Sequence, residues 1–277
     1  MKIVKKTILY VLAIAVALQF LVPLVWMTLS SFKIDEVIFR DARTIYAIIP
    51  KFSDLSLKSY KELLGFYNIF GNVRNSLVYA SITVIFGLTI NSLAGYALAR
   101  FEFPFKDAIL VIIIALMIVP IEATILPLFL VVNEMSLINT VFGYLLPFLV
   151  NVMNIFLFRQ HFLSFPGELI ESAKIDGLGE LGCFFRIVVP SSLNMYVTVG
   201  ILTFLASWND FLWPVMALSN ADLMPIQVAL NAIFSDKYNI FTSHTMAALT
   251  IVTIPIIVLY AVFQKYIVEG SMRSGIK

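Results

Sequence analysis

The chain has 277 residues, of which 60% are hydrophobic and 13% are charged. Its mean hydropathy of +0.95 excludes an ordinary soluble domain, in which roughly a quarter of residues are charged. The net charge of +2 gives no indication of nucleic-acid binding, and the single cysteine excludes an internal disulfide. We expect an all-α integral membrane protein, because lipid cannot satisfy the open backbone of any less regular span.

The N-terminal segment begins with Lys2, Lys5 and Lys6 and continues as an apolar run from about Thr7 to Phe32. A secretory signal also begins with basic residues, but its apolar region has only about 7–15 residues. No obvious cleavage site follows the run. We interpret the segment as a retained first membrane helix, with a cleaved signal peptide as the alternative.

Six apolar runs reach the length of about 20 residues that a helix needs to cross a bilayer. They cover about 7–32, 75–99, 107–132, 140–160, 192–217 and 246–268. Several contain proline, namely Pro23, Pro120, Pro127, Pro147, Pro214 and Pro255. Proline removes a backbone donor and tends to kink a helix. Kinked helices suit a transport cavity, although ordinary proline use in membrane helices explains each proline equally well.

Lysines and arginines indicate which loops are cytoplasmic. They precede the first run, separate the second from the third, surround the segment after the fourth, and end the chain. The short loops on the other side, 133–139 and 218–245, contain only Lys237, and the long 33–74 loop includes five acidic residues. Both termini and residues 161–190 are therefore predicted to be cytoplasmic.

The sequence offers no catalytic centre. No glycine is followed by lysine, so a phosphate-binding GxxxxGK[ST] loop is absent. His161 and His244 are predicted on opposite sides of the membrane, which excludes a histidine-based metal cluster, and nothing else supports a nucleophile pair of Cys183 with His161. We predict no catalytic residue, metal site or cofactor. Uphill transport would therefore need an ion gradient or a partner subunit.

The stretch ESAKIDGLGELGCFFRIVVP, residues 171–190, is polar and lies between apolar runs. Residues 164–190 are predicted to form two short helices. Pro166 suits the first turn of one helix, Gly177 suits the left-handed residue that ends it, and the second helix would begin near Gly179 and stop at Pro190.

Both helices of this predicted hairpin have apolar faces. The i, i+3, i+4, i+7 spacing gives the second helix one stripe, formed by Leu181, Phe184, Phe185 and Val188. A weaker face on the first helix comprises Leu169, Ile170 and Ala173. Such a hairpin could lie on the membrane surface or dock into a partner.

The same stretch resembles the EAA loop of ABC importer permeases, whose pattern is roughly E-A-A-x(3)-G-x(9)-I-x-L-P. The matching residues are Glu171, Ala173, Gly177, Ile187 and Pro190. The departures are conservative, at Ser172, Leu178 and Val189.

Other segments resemble the carbohydrate branch of that family, similar to the MalG-type subunit of maltose transport. SWNDFLWP, residues 207–214, is similar to its W-N-x-F-x-W-P signature. Residues 120–140 are similar to its proline-rich third span and G-L-x-N-T turn, with Met135 and Ser136 replacing the usual L-G. The C-terminal ending is matched by Gly270, Gly275 and Lys277. The resemblance extends over roughly residues 50–277.

The resemblance implies a MetI/MalG-like permease fold of six transmembrane helices with a cytoplasmic EAA coupling hairpin. Residues 1–74 would form the first membrane helix and an extracytoplasmic loop. Residues 75–268 would form a five-helix core with the coupling loop 161–190, and residues 269–277 a cytoplasmic tail.

The implied partners are a homologous second permease subunit, two cytoplasmic ATPase subunits that bind the ATP, and an extracytoplasmic binding protein that delivers a sugar. The complex would lie in the cytoplasmic membrane of a bacterium or archaeon. This chain would be a permease subunit without an ATPase site of its own.

The resemblance assigns coupling to the ATPase to residues of the hairpin, namely Glu171, Ala173, Asp176, Gly177, Phe184, Ile187 and Pro190. Three of these assignments have alternatives. Gly177 shapes the turn or contacts the partner, and Glu171 serves the positive end of a helix dipole or meets a basic group. Phe184 and its neighbour Phe185 pack on the ATPase or on the chain's own helices.

For the solute path, amides, a carboxylate and aromatic rings suit sugar binding, and the candidates are Asn151, Asn154, Trp208, Asn209 and Asp210. Alternatively, Asn209 and Asp210 bond to backbone near Pro214, and Trp208 and Trp213 are interfacial anchors. Glu122 is an intramembrane acid and so a functional candidate by default, or it serves the helix broken at Pro120.

Other functions remain open. An importer of a glycerol phosphate or polyol would share these signatures. An ion-coupled secondary carrier would favour several intramembrane acids and inverted repeats, whereas the chain has one clear acid, Glu122, and no evident repeat. An intramembrane enzyme lacks a catalytic cluster, and a structural scaffold does not explain the hairpin.

Overall fold

The structure is a computed structural model that describes residues 2–235 and 241–274. Lys237 of the topology prediction, and Gly275 and Lys277 of the predicted C-terminal ending, lie outside these residues, while Gly270 lies within the last helix.

The regular structure of the described residues is helical. The helices are α1 Lys2–Ser30, α2 Asp35–Asp41, α3 Lys58–Phe66, α4 Ile69–Arg100, α5 Lys106–Ile118, α6 Ile121–Glu134, α7 Val141–Leu149, α8 Val152–Leu163, α9 Gly167–Ile175, α10 Glu180–Cys183, α11 Val189–Ser191, α12 Leu193–Trp208, α13 Leu212–Ala217, α14 Ile226–Ser235 and α15 Thr242–Ser274. Shorter 3₁₀ turns cover Ile45–Ala47, Phe52–Asp54 and Ala221–Leu223, and a π-helical turn covers Phe184–Val188.

Four apolar segments of the described chain are long enough to cross a membrane, namely Lys5–Ser30, Ile69–Arg100, Val141–Leu163 and Thr242–Tyr266. Two bent pairs also qualify by length and composition: α5 with α6, and Glu180–Ser191 with α12. Counting each bent pair as one span gives six, in agreement with the predicted multi-pass membrane protein.

The third predicted run, 107–132, is not one helix. Its halves α5 and α6 are bent by 107°. Pro120 lies at the break in an extended conformation, with φ −68° and ψ 140°. Because proline has no N–H, it cannot extend the hydrogen bonds of α5, and a new helix begins at Ile121.

The fifth predicted run, 192–217, is also interrupted. Its helix α12 ends at Trp208, and α13 begins only at Leu212. Upstream, Glu180–Ser191 and α12 are bent by 81°, with Ser192 between them at φ −105° and ψ 18°. The residues around Asn209 therefore lie at a helix break, where backbone and side-chain polar groups are exposed together.

The chain divides into two compact units. One comprises Met1–Gly71 and Ala229–Ile256, and the other comprises Asn72–Val228 and Ile257–Lys277. Both candidate functional regions lie within the second unit.

In the first unit, a buried ion pair holds the segment after α1. Lys33 Nζ donates to Asp41 Oδ2 at 3.2 Å and to the carbonyl of Tyr46 at 2.6 Å, and the Lys33 side chain is 1% exposed. Arg40 Nε donates to the other Asp41 oxygen at 2.9 Å. The Arg40 guanidinium, followed by the Lys33 ammonium, holds the pKa of Asp41 below its usual value. Burial of Lys33 is tolerated because its charge is matched by Asp41 and two of its three N–H groups donate hydrogen bonds.

The start of α15 is tied to the same unit. The Asp35 carboxylate accepts hydrogen bonds from the N–H groups of Thr242 and Ser243 at 3.1 and 2.8 Å. His244 Nε2 lies 3.1 Å from Glu62 Oε2. Acceptors at this end satisfy N–H groups that have no partner within the helix.

The second unit packs around buried aromatic side chains. One cluster, called here the hairpin core, comprises Tyr96, Phe158, Phe162, Ile170, Ala173, Cys183, Phe184, Val188 and Val199. A second comprises Tyr79, Ile125, Val132, Tyr144, Leu145, Trp213, Ala217 and Leu218. Helices α4 and α8 approach closely at Gly95, where an added Cβ would lie 2.7 Å from Phe158 Cβ. This approach fixes the helices that support the hairpin.

Candidate functional site

Two features of the second unit concern function: the hairpin Gly167–Ser191 and a cavity near the break after α12. The turn of the hairpin is a Schellman motif. Gly177 has φ +87°, its N–H donates to Lys174 O at 3.0 Å, and the N–H of Leu178 donates to Ala173 O at 3.0 Å. These bonds satisfy the last carbonyls of α9. The left-handed glycine predicted at position 177 is confirmed.

The inner face of the hairpin is buried in its own subunit. Phe184 is 1% exposed, and its ring centroid lies 5.1 Å from that of Tyr96 and 6.3 Å from that of Phe162. Ile170 and Ala173 of α9 are 7% and 5% exposed in the same core. The hairpin is therefore firmly seated, since displacing it would expose several large apolar side chains to water.

The outer face of the hairpin is apolar and exposed. The exposed fractions are 86% for Ile175, 66% for Leu181 and 50% for Phe185. A Lys174–Glu180 ion pair of 2.5 Å spans the turn beside them, and the Glu180 carboxylate raises the pKa of the Lys174 ammonium. An exposed apolar surface next to a polar turn is typical of a contact region for another protein.

The apolar stripe predicted on the second helix is divided between two surroundings. Phe184 and Val188 are buried, whereas Leu181 and Phe185 are exposed. At about 100° per residue, Phe184 and Val188 lie on one edge of the stripe and Leu181 and Phe185 lie on the other, so the boundary of the subunit core divides the stripe. One side of the second helix therefore faces the subunit core and the other side faces outward.

The structure distributes the predicted coupling residues over both sides of the hairpin. Glu171, Asp176, Gly177 and Pro190 are exposed, Ile187 is half-buried, and Ala173 and Phe184 are buried. Of the two alternatives for Phe184, the structure places it against the chain's own helices. Pro166 precedes α9 as its N-cap residue rather than lying in its first turn.

The second feature is a cavity of about 620 Å³ lined by residues of the second unit. Several polar side chains along its wall lie at the starts or ends of helices, including Glu122 in the first turn of α6, Asn151 before α8, and Asn209 and Asp210 after α12. Aromatic side chains also line it, including Tyr144, Phe148, Phe211 and Trp213.

Hydrogen bonds fix several of the polar residues in the cavity wall. Asn151 Oδ1 accepts from the N–H of Asn154 at 3.1 Å and so caps α8. Asn154 Nδ2 donates to Thr203 Oγ1 at 3.0 Å. Asn91 supports this corner from α4, because its Oδ1 accepts from the N–H of Asn151 at 2.9 Å and its Nδ2 donates to Leu149 O at 3.0 Å. The amide groups are therefore held in place before any solute arrives.

The residues after α12 bond to backbone as well as lining the cavity. Asn209 Nδ2 donates to Leu205 O at 2.9 Å, and Asp210 Oδ1 accepts from the N–H of Trp213 at 3.4 Å. The indole N–H of Trp213 donates to Tyr144 O at 3.2 Å. The predicted bonding to backbone near Pro214 is present for Asp210, whereas Asn209 bonds to the preceding turn of α12. Both bonds orient these side chains at the cavity.

Four of the five predicted solute-path residues, Asn151, Asn154, Asn209 and Asp210, line this cavity together. Trp208 does not. It is fully buried and stacks on Phe204 with centroids 5.7 Å apart and planes inclined by 11°. Trp213 is 1% exposed, so neither indole lies on the surface as an interfacial anchor would.

The prediction of the solute path from the sequence did not include the aromatic residues of the cavity wall, of which Tyr144, Phe148 and Trp213 are examples. Trp213 belongs to the W-N-x-F-x-W-P signature, which was a usable signal. Tyr144 and Phe148 come from a different apolar run, and only the three-dimensional packing brings them to the same wall.

Comparison with known proteins gives a family match. A family model described as binding-protein-dependent transport system inner membrane component matches residues 91–271. The arabinooligosaccharides transport system permease protein AraQ of Bacillus subtilis (strain 168) is 32% identical over 265 residues, covering 94% of this chain and 92% of the relative.

Other relatives include the lactose transport system permease protein LacG of Rhizobium radiobacter, 28% identical over 91% of this chain and 89% of its own. The sn-glycerol-3-phosphate transport system permease protein UgpE of Yersinia pestis is 30% identical over 72% of each chain. Among solved structures, a bacterial ABC transporter involved in the import of the acidic polysaccharide alginate contains a chain with TM-score 0.83 and 23% identity, covering 95% of this chain and 96% of that one. This likeness confirms the predicted permease fold.

Proposed function

The chain belongs to the family of binding-protein-dependent transport system inner membrane components, and we propose that it is the permease subunit of an ATP-driven importer for a sugar or oligosaccharide. The relatives AraQ and LacG, with high coverage of this chain, are named for arabinooligosaccharides and lactose. The chain supplies part of the membrane path and has no ATPase site of its own.

The observation that carries this proposal is the two-sided hairpin. Its inner face is packed in the hairpin core, and its outer face presents Ile175, Leu181 and Phe185 around the turn at Gly177. A partner that moves this outer face must also move α8 and α12, because Phe162 of α8 and Val199 of α12 share the hairpin core with Phe184. A firmly seated hairpin transmits such movement instead of absorbing it.

The partner proposed for the outer face is a cytoplasmic ATPase subunit. Each of two ATPase subunits would contact one permease subunit, the second permease being homologous to this chain. Closure of the ATPase pair on ATP would favour one of the outward- and inward-facing states over the other, as any ligand does that binds the two states unequally.

The cavity is the proposed route of the solute through this subunit. Sugars present hydroxyl groups that both donate and accept hydrogen bonds, and apolar ring faces that stack on aromatic side chains. The cavity offers amide groups at Asn151, Asn154 and Asn209 beside the rings of Tyr144 and Phe148. An extracytoplasmic binding protein would deliver the solute to the outer face. Both termini would then lie on the cytoplasmic side of the cell membrane.

The proposal is tested at Gly177. The variant Gly177→Asp places a charged side chain with a disfavoured φ of +87° at the turn, so we expect normal membrane insertion, weaker copurification of the ATPase and loss of uptake. A matched control is Gly65→Asp, because Gly65 in α3 also has no atom within 4 Å of an added Cβ. Normal ATPase copurification together with normal uptake in Gly177→Asp would refute the role of the hairpin.

A further inference from the structure

The charges of the cavity wall have one sign. Its acidic side chains are those of Glu122 and Asp210, and no Lys, Arg or His is found among the described residues that line it. Glu122 is exposed, in the first turn of α6. The start of a helix carries only about half a unit of positive charge, so one carboxylate there leaves the local charge negative.

The hydrogen-bonding groups of the wall have a matching bias toward acceptors. An ionised carboxylate only accepts hydrogen bonds. Two of the amide donors are already engaged within the protein, because Asn154 Nδ2 donates to Thr203 Oγ1 and Asn209 Nδ2 donates to Leu205 O. The N–H of Trp213, another donor at this wall, is directed to Asp210. Some acceptors are engaged as well, since Asn151 Oδ1 and Asp210 Oδ1 accept from backbone N–H groups. The two carboxylates nevertheless add acceptor oxygens that no Lys, Arg or His of the described wall balances.

From these two observations we infer that the cavity selects by charge: it admits uncharged polyhydroxylated solutes and disfavours sugar acids and sugar or glycerol phosphates. The hydroxyl groups of a neutral sugar donate to the carboxylates, whereas phosphate and carboxylate groups offer only acceptors and add like charge. The inference rests on the proposed function, since it concerns the solute that this permease path accepts.

The magnitude of the charge effect follows from Coulomb's law. At a separation of roughly 10 Å and an effective dielectric constant of about 40, one carboxylate changes the local concentration of a singly charged molecule by about fourfold. A cation gains this factor and an anion loses it. The ratio of the local concentration of a cationic molecule to that of an anionic molecule of the same size therefore changes by on the order of tenfold for each carboxylate removed.

The potential can be measured with small thiol reagents that need no knowledge of the natural solute. Ala206 is exposed and lines the cavity, so the variant Ala206→Cys places a thiol there in the full-length chain, assembled with its partner subunits in membrane vesicles. Methanethiosulfonate reagents bearing trimethylammonium or sulfonate groups have similar size and opposite charge. The native Cys183 is fully buried, so its labelling in the chain without Ala206→Cys gives the background.

We expect the cationic reagent to label Ala206→Cys faster than the anionic one, after correction for their reactivities toward a free thiol. Adding Glu122→Gln or Asp210→Asn should each lower this ratio by on the order of tenfold at low ionic strength, and less at high salt. Glu134→Gln is the matched control, because it makes the same charge change at the far end of α6, outside the cavity wall, and should leave the ratio nearly unchanged.

A ratio near one between the cationic and anionic labelling rates of Ala206→Cys, with both carboxylates present, would overturn the inference. An equal change of this ratio for Glu134→Gln and Glu122→Gln would also overturn it. Sugar uptake measured in the same vesicles separates the two proposals. ATP-dependent sugar uptake without charge discrimination refutes the charge selection alone. Absence of ATP-dependent uptake by the unaltered complex refutes the proposed function instead.

Discussion

The turn of the hairpin permits a quantitative test, because two nearby glycines have backbone φ angles of opposite sign. Neither Gly177 nor Gly179 has an atom within 4 Å of an added Cβ, but Gly177 has φ +87° and Gly179 has φ −72°. Alanine at position 177 is therefore opposed by the backbone alone, at a cost of roughly 1–2 kcal/mol. At position 179, alanine is a weaker N-cap than glycine but lowers the conformational entropy of the unfolded chain. These two effects on the stability of the turn offset each other to within about 0.5 kcal/mol.

The assay is hydrogen exchange of the amides at the turn, measured by mass spectrometry on the assembled transporter. The Leu178 amide donates to Ala173 O and the amide of residue 177 donates to Lys174 O, so both become exchangeable when the turn opens. A cost of about 1–2 kcal/mol raises the open population by roughly 5–30-fold. We expect that increase for Gly177→Ala and a change of about twofold or less for Gly179→Ala.

A third variant separates backbone strain from loss of glycine itself. Asparagine adopts the left-handed conformation more readily than alanine, so Gly177→Asn should fall between the unaltered chain and Gly177→Ala. Equal exchange for alanine at the two positions would refute the reasoning, as would faster exchange in Gly177→Asn than in Gly177→Ala.

Three further changes test other parts of the structure. Phe184→Ala should lower the free energy of unfolding by about 3–5 kcal/mol and so lower the thermal unfolding temperature in detergent. Phe185→Ala should instead mainly reduce ATPase copurification. Similar unfolding temperatures for both variants would contradict the two-sided hairpin. Asn139 has φ 60° and its Oδ1 accepts from the N–H groups of residues 219 and 220, so Asn139→Ala should cost about 1–3 kcal/mol in the same assay, and an unchanged unfolding temperature would exclude this role. The pKa of Asp41 in the folded protein lies below its usual value of 3.8. Its contribution to stability is therefore complete above pH 3.8 and is lost as the pH falls through the lower folded pKa. Proteolysis of the 33–66 segment should increase only at such acidity, and an increase near pH 6 would contradict the pairing with Lys33.

The sequence predicted much of the fold because membrane spans leave a strong local signal. Length and hydropathy located the apolar spans of the described residues, a glycine after Asp176 predicted the turn, and the EAA pattern predicted the importer family. These features depend on residues close together in the chain, where composition and spacing are informative. The family match over residues 91–271 confirms the predicted importer permease.

The positions of the breaks within the spans could not be predicted from the sequence alone. Proline at position 120 indicated a kink, but Pro127, Pro147 and Pro255 lie inside helices of the structure. Whether a proline bends a helix or divides it depends on how neighbouring helices satisfy the freed carbonyls, and that information is not local.

The solute path was partly predictable for a related reason. Amide and carboxylate side chains inside apolar runs are conspicuous, and four of the five candidates do line the cavity. Trp208 was selected by residue type, yet the end of α12 turns it into the protein interior. The predicted stripe on the hairpin is divided between the subunit core and the exposed face, and the spacing of apolar residues does not indicate which edge of the stripe packs against the chain.

As the proposed permease subunit, this chain takes up a sugar by means of ATP hydrolysed on partner subunits. The most direct measurement is uptake of a labelled oligosaccharide into proteoliposomes that contain this chain, its second permease and the ATPase, oriented with the ATPase inside. The binding protein is added outside and ATP is enclosed. We expect uptake that requires enclosed ATP and persists when ionophores abolish the proton and sodium gradients. Uptake that continues without ATP and stops with the ionophores would contradict this expectation and indicate an ion-coupled carrier.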